Sequence, residues 1–430
     1  MKPVLQVALD FINSHRALQI AKETIKGGAN WLEAGTPLIK SEGMNIVRTL
    51  RERFPQKTII ADLKTMDTGA LETEMAAKAG ADIVCIMAAS DDSTITEAVE
   101  SAHKYGIKIM VDLLAVKNKI KRAQQLEKMG VHYLCLHIGI DEQMKGKKPI
   151  DHLQKLIQNT TLPVAVAGGI TVDSVPTILK TGAEIIIVGG AITKAKNVRK
   201  ETTNFIHSIQ GKIIKKNDHH RRYHQKEIHL AFSKLSTPNI SDAMHRKGAM
   251  KQITPLQPGY HMVGKALTIE TIDGDWAKPV EAIDQAEQGT VLVINAHGGQ
   301  TAIWGELATR SAKQKGLAGI VIDGAVRDID DICTQDLPIF CRYTVPNAGD
   351  PKGFGEIGTE ITCGEQNVQT GDWIIGDDSG VVVVPQNIAQ EIANRALDVK
   401  EQENRIREEI KQGQSLGTII DLKKWEKKNK

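Results

Sequence analysis

Between residues 4 and 208, short apolar runs alternate with longer amphipathic stretches, eight times over. The runs cover 4–10, 31–35, 58–64, 82–87, 107–114, 133–139, 163–169 and 184–190. They are continuous rather than alternating, the pattern of parallel strands covered on both faces. The stretches between them, such as 68–79 and 93–105, have helical periodicity and often close on Gly-Ala or Tyr-Gly. Eight strand–helix units in sequence predict a closed (β/α)8 TIM barrel over residues 1–208. An open doubly wound sheet is the alternative, which eight consecutive units disfavour.

The pattern then breaks. Residues 211–227 (GKIIKKNDHHRRYHQKE) are basic and poor in core residues, so 209–229 is expected to be a solvated linker. Its histidines, His219, His220 and His224, are of a type that binds metals, and its Lys/Arg run of a type that touches RNA; a plain connection is the preferred reading. Over 230–394 a second pattern appears, with strands expected at 262–271, 290–296, 319–323, 372–376 and 381–385. Its glycine-rich turns indicate a separate α/β or α+β domain. Residues 387–412 read as a charged amphipathic helix, which with a basic tail makes up 395–430. The SLGTII stretch of that tail is a candidate for packing on a neighbouring subunit.

Length and composition agree with this division. A chain of 430 residues exceeds one ordinary core. No run of about 18 apolar residues is present, so no membrane span is expected, and the N-terminus lacks a signal-peptide pattern. The cytoplasm is the expected compartment. A net charge of +3 is too small to imply a nucleic-acid partner. The five cysteines (Cys85, Cys135, Cys333, Cys341, Cys363) include no CxxC pair and read as reduced structural thiols.

Catalytic groups of a TIM barrel gather where its strands end. Here those ends carry Asp10, Glu33, Asp62, Lys64, Asp67, Asp112 and His137. Asp62 and Lys64 are two apart on one strand and point the same way. A salt-bridged rim explains one such pair but not the whole set. Glu33 and Asp62 offer hard oxygen ligands for Mg2+ or another divalent metal. The glycine turns at Gly168 and Gly169 and at Gly189 and Gly190 precede helix starts, where backbone N–H groups cradle a phosphate.

The strings VALD, LEAGTP, ADLKTMDTG, LHIGIDEQ, AVAGGIT and IVGGAIT occur in this order through residues 1–208. In these motifs the chain resembles the orotidine-phosphate decarboxylase superfamily, and within it the 3-hexulose-6-phosphate synthases. The resemblance implies joining of formaldehyde to ribulose 5-phosphate, or the reverse. It implies Glu33 and Asp62 as Mg2+ ligands, Lys64 as a charge beside an enediolate, and His137 in proton transfer. Asp10 would orient the lysine or a substrate hydroxyl. Asp67 would enter a neighbouring subunit's site, making the protein a homo-oligomer, at least a dimer. The sibling 3-keto-gulonate-6-phosphate decarboxylases carry an arginine where Gly190 stands. That sibling activity is the rival reading.

In the second domain, residues 295–331 read as strand, glycine turn, helix start, strand and a tight turn into Arg327 and Asp328. Backbone amides at residues 305–308 are placed to bind a small carboxylate. Arg327 can grip it bidentately, and Asp328 is a hard-metal ligand type. The plain alternative is an Arg–Asp pair closing a turn. With LSTPNISDA at 235–243, this stretch resembles the RraA-like family, which includes regulators of RNA processing and aldolases of 4-hydroxy-4-methyl-2-oxoglutarate. The resemblance implies Arg327 and Asp328 as substrate and metal contacts, Glu306 as the acid that handles water, and a small 2-oxo acid as ligand. Trp276 departs from the asparagine usual in that family. A non-catalytic regulatory module is the alternative.

Overall fold

The computed structural model describes residues 2–146, 150–212 and 220–420. Their contacts divide into two units, one of residues 1–222 and 401–430, the other of residues 223–400. Among the described residues no helix is long and apolar enough to cross a membrane.

In the first unit, eight strands form a closed parallel barrel: β1 (Val4–Leu9), β2 (Trp31–Ala34), β3 (Thr58–Thr65), β4 (Ile83–Met87), β5 (Lys108–Asp112), β6 (Tyr133–His137), β7 (Val164–Ala167) and β8 (Ile185–Val188). Closure is made by β1, which pairs with both β2 and β8. This excludes the open sheet. Successive side chains alternate across each strand. Leu5, Val7 and Leu9 of β1 join the layer against the helices. Ile60, Cys85, Met110, Cys135, Ala165 and Ile187 fill the barrel interior. With both faces buried, continuous apolar runs are what each strand requires.

The linker expectation is corrected at its end. His220 is buried, because its backbone N–H and Nδ1 lie 2.7 and 3.0 Å from the Glu401 carboxylate. Arg222 reaches the same carboxylate at 3.2 Å. His219 lies outside the described residues. In the SLGTII stretch, Leu416–Ile419 is a short helix of the first unit with Ile419 buried and Leu416 exposed. Arg405, on the helix Ala389–Lys411, is wholly buried in that unit. Its guanidinium donates to Glu409 and Glu23, both at 2.8 Å, and to the Lys196 carbonyl at 3.3 Å. A charge this deep persists only when paired on several sides.

The second unit is built on a mixed sheet. Its strands are β9 (Thr254–Pro255), β10 (Met262–Glu270), β11 (Thr290–Asn295), β12 (Ala302–Trp304), β13 (Gly319–Val326), β14 (Ile339–Thr344), β15 (Glu356–Ile357), β16 (Ile361–Cys363), β17 (Gln366–Val368), β18 (Trp373–Asp377) and β19 (Gly380–Val384). The main order is β19-β18-β10-β11-β13-β14-β9. Its centre, β10, β11, β13 and β14, is parallel, and β18, β19 and β9 pair antiparallel. The five expected strands are present as β10, β11, β13, β18 and β19; β9, β12, β14, β15, β16 and β17 are additions. All five cysteines are free.

Candidate active site

At the C-terminal mouth of the barrel, the Lys64 ammonium lies between two carboxylates. Its Nζ is 2.7 Å from Asp62 Oδ2 and 3.5 Å from Asp112 Oδ2. A straight strand would put Asp62 and Lys64 on one face by spacing alone. The structure departs from that, because the β3–β4 register slips between Asp62 and Thr65 and Lys64 is left-handed at φ +50°. An L-residue there costs roughly 1–2 kcal/mol, a strain typical of functional positions. Burial disfavours the ammonium, but the charges of Asp62 and Asp112 outweigh it, so Lys64 stays protonated well above its ordinary range.

Asp112 ends β5 next to His137, which ends β6. His137 Nδ1 is 2.8 Å from Asp112 Oδ2, and the Leu114 N–H donates to Oδ1 at 2.9 Å. Burial alone would raise this carboxyl. The His137 hydrogen bond and the charges of His137 and Lys64 prevail and hold it below its ordinary value. Asp112 is the residue that sequence reading noted at a strand end without giving it a task. Its task depends on β5 lying beside β6.

The other side of the mouth is acidic. Asp62 Oδ2 also accepts from Thr36 Oγ1 at 2.8 Å. Glu33 is buried, and burial, then Asp62 and Asp10, push its carboxyl well above its ordinary value. Asp10 is raised too, by desolvation and then by Asp62, against the pull of Lys64, His137 and Lys194. Part of Asp10 still faces solvent, which weakens the first of these causes. Asp62 acts electrostatically on both Glu33 and Asp10, and their carboxylate oxygens are hard donors of the kind a divalent cation requires. The residues present therefore fit Mg2+.

The glycine turns directly follow β7 and β8. Gly168 and Gly169 have φ of +100° and +64°, and a Cβ on Gly168 would run into the Ile138 carbonyl. At Gly190 a Cβ would stand 2.9 Å from Cε1 of the buried His220 ring. Asp67 stands apart from this network: it is exposed, and its Oδ1 accepts from the Thr68 N–H at 2.7 Å.

In the second unit, Asp328 is left-handed at φ +59°. Its Oδ2 accepts the Glu306 N–H at 3.2 Å and lies 3.5 Å from Arg327 Nε. The first amide of the helix Glu306–Lys315 is thus engaged by Asp328 itself, where an external carboxylate was expected. The Glu306 side chain pairs with Arg310 one turn on. A further group was missed by sequence reading. His297, at φ +54°, sits 2.6 Å from Glu270, and the Asn295 amide donates to the same carboxylate at 3.0 Å. These three stand where β10 and β11 end, a proximity that no local pattern signals.

Residues 3–205 match the family model described as Orotidine 5'-phosphate decarboxylase / HUMPS family. The 3-hexulose-6-phosphate synthase of Bacillus subtilis (strain 168) is 42% identical over 193 residues, 44% of this chain and 91% of that protein. The chain belongs to the 3-hexulose-6-phosphate synthase family through its first half. Within this synthase family, the Mycobacterium gastri protein is 38% identical over 188 residues, 44% of this chain and 90% of that one. A solved 3-hexulose-6-phosphate synthase structure from Salmonella typhimurium is 32% identical, covering 49% of this chain and 99% of that chain with a TM-score of 0.47. Beyond the synthase half, residues 237–383 match the RraA-like model, described as Aldolase/RraA.

Proposed function

We propose that the barrel is a divalent-cation-dependent aldehyde-lyase that interconverts ribulose 5-phosphate plus formaldehyde with 3-hexulose 6-phosphate. The observation that carries this reading is the linked set Asp62–Lys64–Asp112–His137, set beside Glu33 and Asp10 in a synthase-family barrel. Glu33 and Asp62 would hold the cation, which supplies positive charge for the oxyanion that develops beside the reacting carbon. The glycine turns bind the phosphate through backbone N–H groups. His137, held by Asp112, moves the proton of the sugar's C1, and the Lys64 ammonium stabilises the negative charge left behind. The nucleophilic C1 then forms a bond to the formaldehyde carbon, whose oxygen takes up a proton. Gly190 supports the synthase over the decarboxylase reading, because the His220 ring occupies the space a longer side chain would need. Asp67, exposed on its turn, would complete the site of a neighbouring copy, which makes a dimer the smallest active species.

Purified full-length protein should consume ribulose 5-phosphate only when formaldehyde and Mg2+ are both present, and EDTA should stop it. No consumption, with CO2 released from a 3-keto-hexonate phosphate instead, would overturn the synthase reading in favour of the sibling chemistry.

For the second unit we infer a metal-assisted site for a small 2-oxo acid built on Arg327, Asp328 and Glu306. The left-handed Asp328 held against a helix start supports it, as does the Aldolase/RraA match. With the barrel site disabled by Asp62→Asn, calorimetry should still detect Mg2+ binding, and Asp328→Ala should eliminate it. Residual binding unaffected by Asp328→Ala would favour a non-catalytic module.

A further inference from the structure

Gln6 sits on β1 inside the barrel, fully buried, one interior step below Ala8, which is in register with Glu33. Its Nε2 donates to Glu33 Oε2 at 2.5 Å. Its Oε1 is buried and has no hydrogen-bond partner among the described residues. The side chains around the barrel axis are otherwise mostly apolar, including Ile60, Cys85, Met110 and Ile187. A primary amide is a poor space-filler in such a layer, because the orphaned carbonyl oxygen loses its hydration for nothing. Against the ionised carboxylate that a metal ligand requires, turning the amide over would set Oε1 against another acceptor. The arrangement sacrifices one polar atom to set a donor against one oxygen of Glu33. That donor fixes the rotation of the carboxylate about its last bond and directs the other oxygen elsewhere.

We infer that Gln6 is a positioning residue for the cation site: it locks the Glu33 carboxylate in the orientation that presents Oε1 to the metal. This rests on the metal-dependent synthase reading above. Partners behind a metal ligand typically govern affinity by about 10–100-fold, and Gln6 is such a partner for Glu33.

The test uses full-length protein carrying Asp328→Ala, which removes the metal site inferred in the second unit, and compares it with and without Gln6→Met, a change that keeps the approximate volume but removes both the donor and the orphaned oxygen. Mg2+ affinity by calorimetry should weaken about 10–100-fold, with the KM for ribulose 5-phosphate at saturating Mg2+ altered much less. The melting temperature without metal should change little, because relief of the orphaned Gln6 oxygen offsets the donor that Glu33 Oε2 loses, whereas a residue that merely fills space would leave Mg2+ affinity intact. Unchanged Mg2+ affinity in Gln6→Met overturns the proposal. If that variant does not fold, Gln6→Asn, which withdraws the amide by one methylene, must show the same loss of affinity. Asp328→Ala protein with Gln6 intact that binds no Mg2+ would instead refute the metal reading on which the proposal rests.

Discussion

Asp62→Asn is expected to lower kcat/KM for the formaldehyde-dependent reaction by about a thousandfold or more while leaving the barrel folded. The carboxylate has three tasks at once: a hard ligand for the cation, the closer partner of Lys64 at 2.7 Å, and an acceptor for Thr36 at 2.8 Å. An amide can still accept from Thr36 and fills the same volume, so no cavity opens. Lys64 keeps Asp112 as a counter-charge, which averts the full penalty of an unpaired buried ammonium. Removing one of three crowded carboxylates also relieves Glu33 and Asp10, both of which Asp62 pushes upward. Thermal melting should therefore shift little. What is lost is electrostatic stabilisation, where the removal of one well-placed group costs about 10²–10³ in rate, compounded by loss of a metal ligand. A variant within tenfold of wild type would sink the ligand assignment.

Asp112→Asn should cost nearly as much, about 10²–10⁴ in kcat, through a different route. The carboxylate accepts from His137 Nδ1 and so sets which ring nitrogen faces the substrate. An asparagine can present its N–H₂ group to that nitrogen instead and favour the opposite tautomer. The substitution also removes the second anion beside Lys64. Stability supplies an independent readout. The folded-state carboxyl is held below its ordinary value of 3.8, so its contribution is fully present above that value and is lost as pH falls through the depressed one. The gap in melting temperature between wild type and Asp112→Asn should be widest near neutrality and shrink below about pH 4. A gap constant with pH, with kcat unchanged, would show that His137 does not depend on Asp112.

The barrel was legible because of what its strands must do. A strand such as Ile185–Val188, covered by helices outside and by side chains inside, has no polar face to disguise it. The mouth residues were legible because a fold of this kind collects its strand ends in one place. For Lys64 the spacing argument gave an incomplete reason, since the strand brings it beside Asp62 through a bulge and a left-handed residue. The pairing of Asp112 with His137 and the amide of Gln6 against Glu33 depend on which strands are neighbours, which periodicity does not encode. His220 looked solvated because its counter-charge, Glu401, is 181 residues away in the sequence. In the second unit, β12 spans three residues and β14 ends in the exposed Tyr343 and Thr344. Neither offers a run long enough to read.

The division of the first unit between residues 1–222 and 401–430 also dictates an order of events during synthesis. The ribosome releases all eight barrel strands, then the whole RraA-like unit, and only afterwards Arg405 with its partner Glu409. Until then Glu23, on the first helix of the barrel, waits without the guanidinium that covers it. The nascent barrel must keep that carboxylate hydrated while the second unit emerges and folds. The ion pair between Glu23 and Arg405 therefore forms only after the whole second unit, which lies between them in the sequence, has been made.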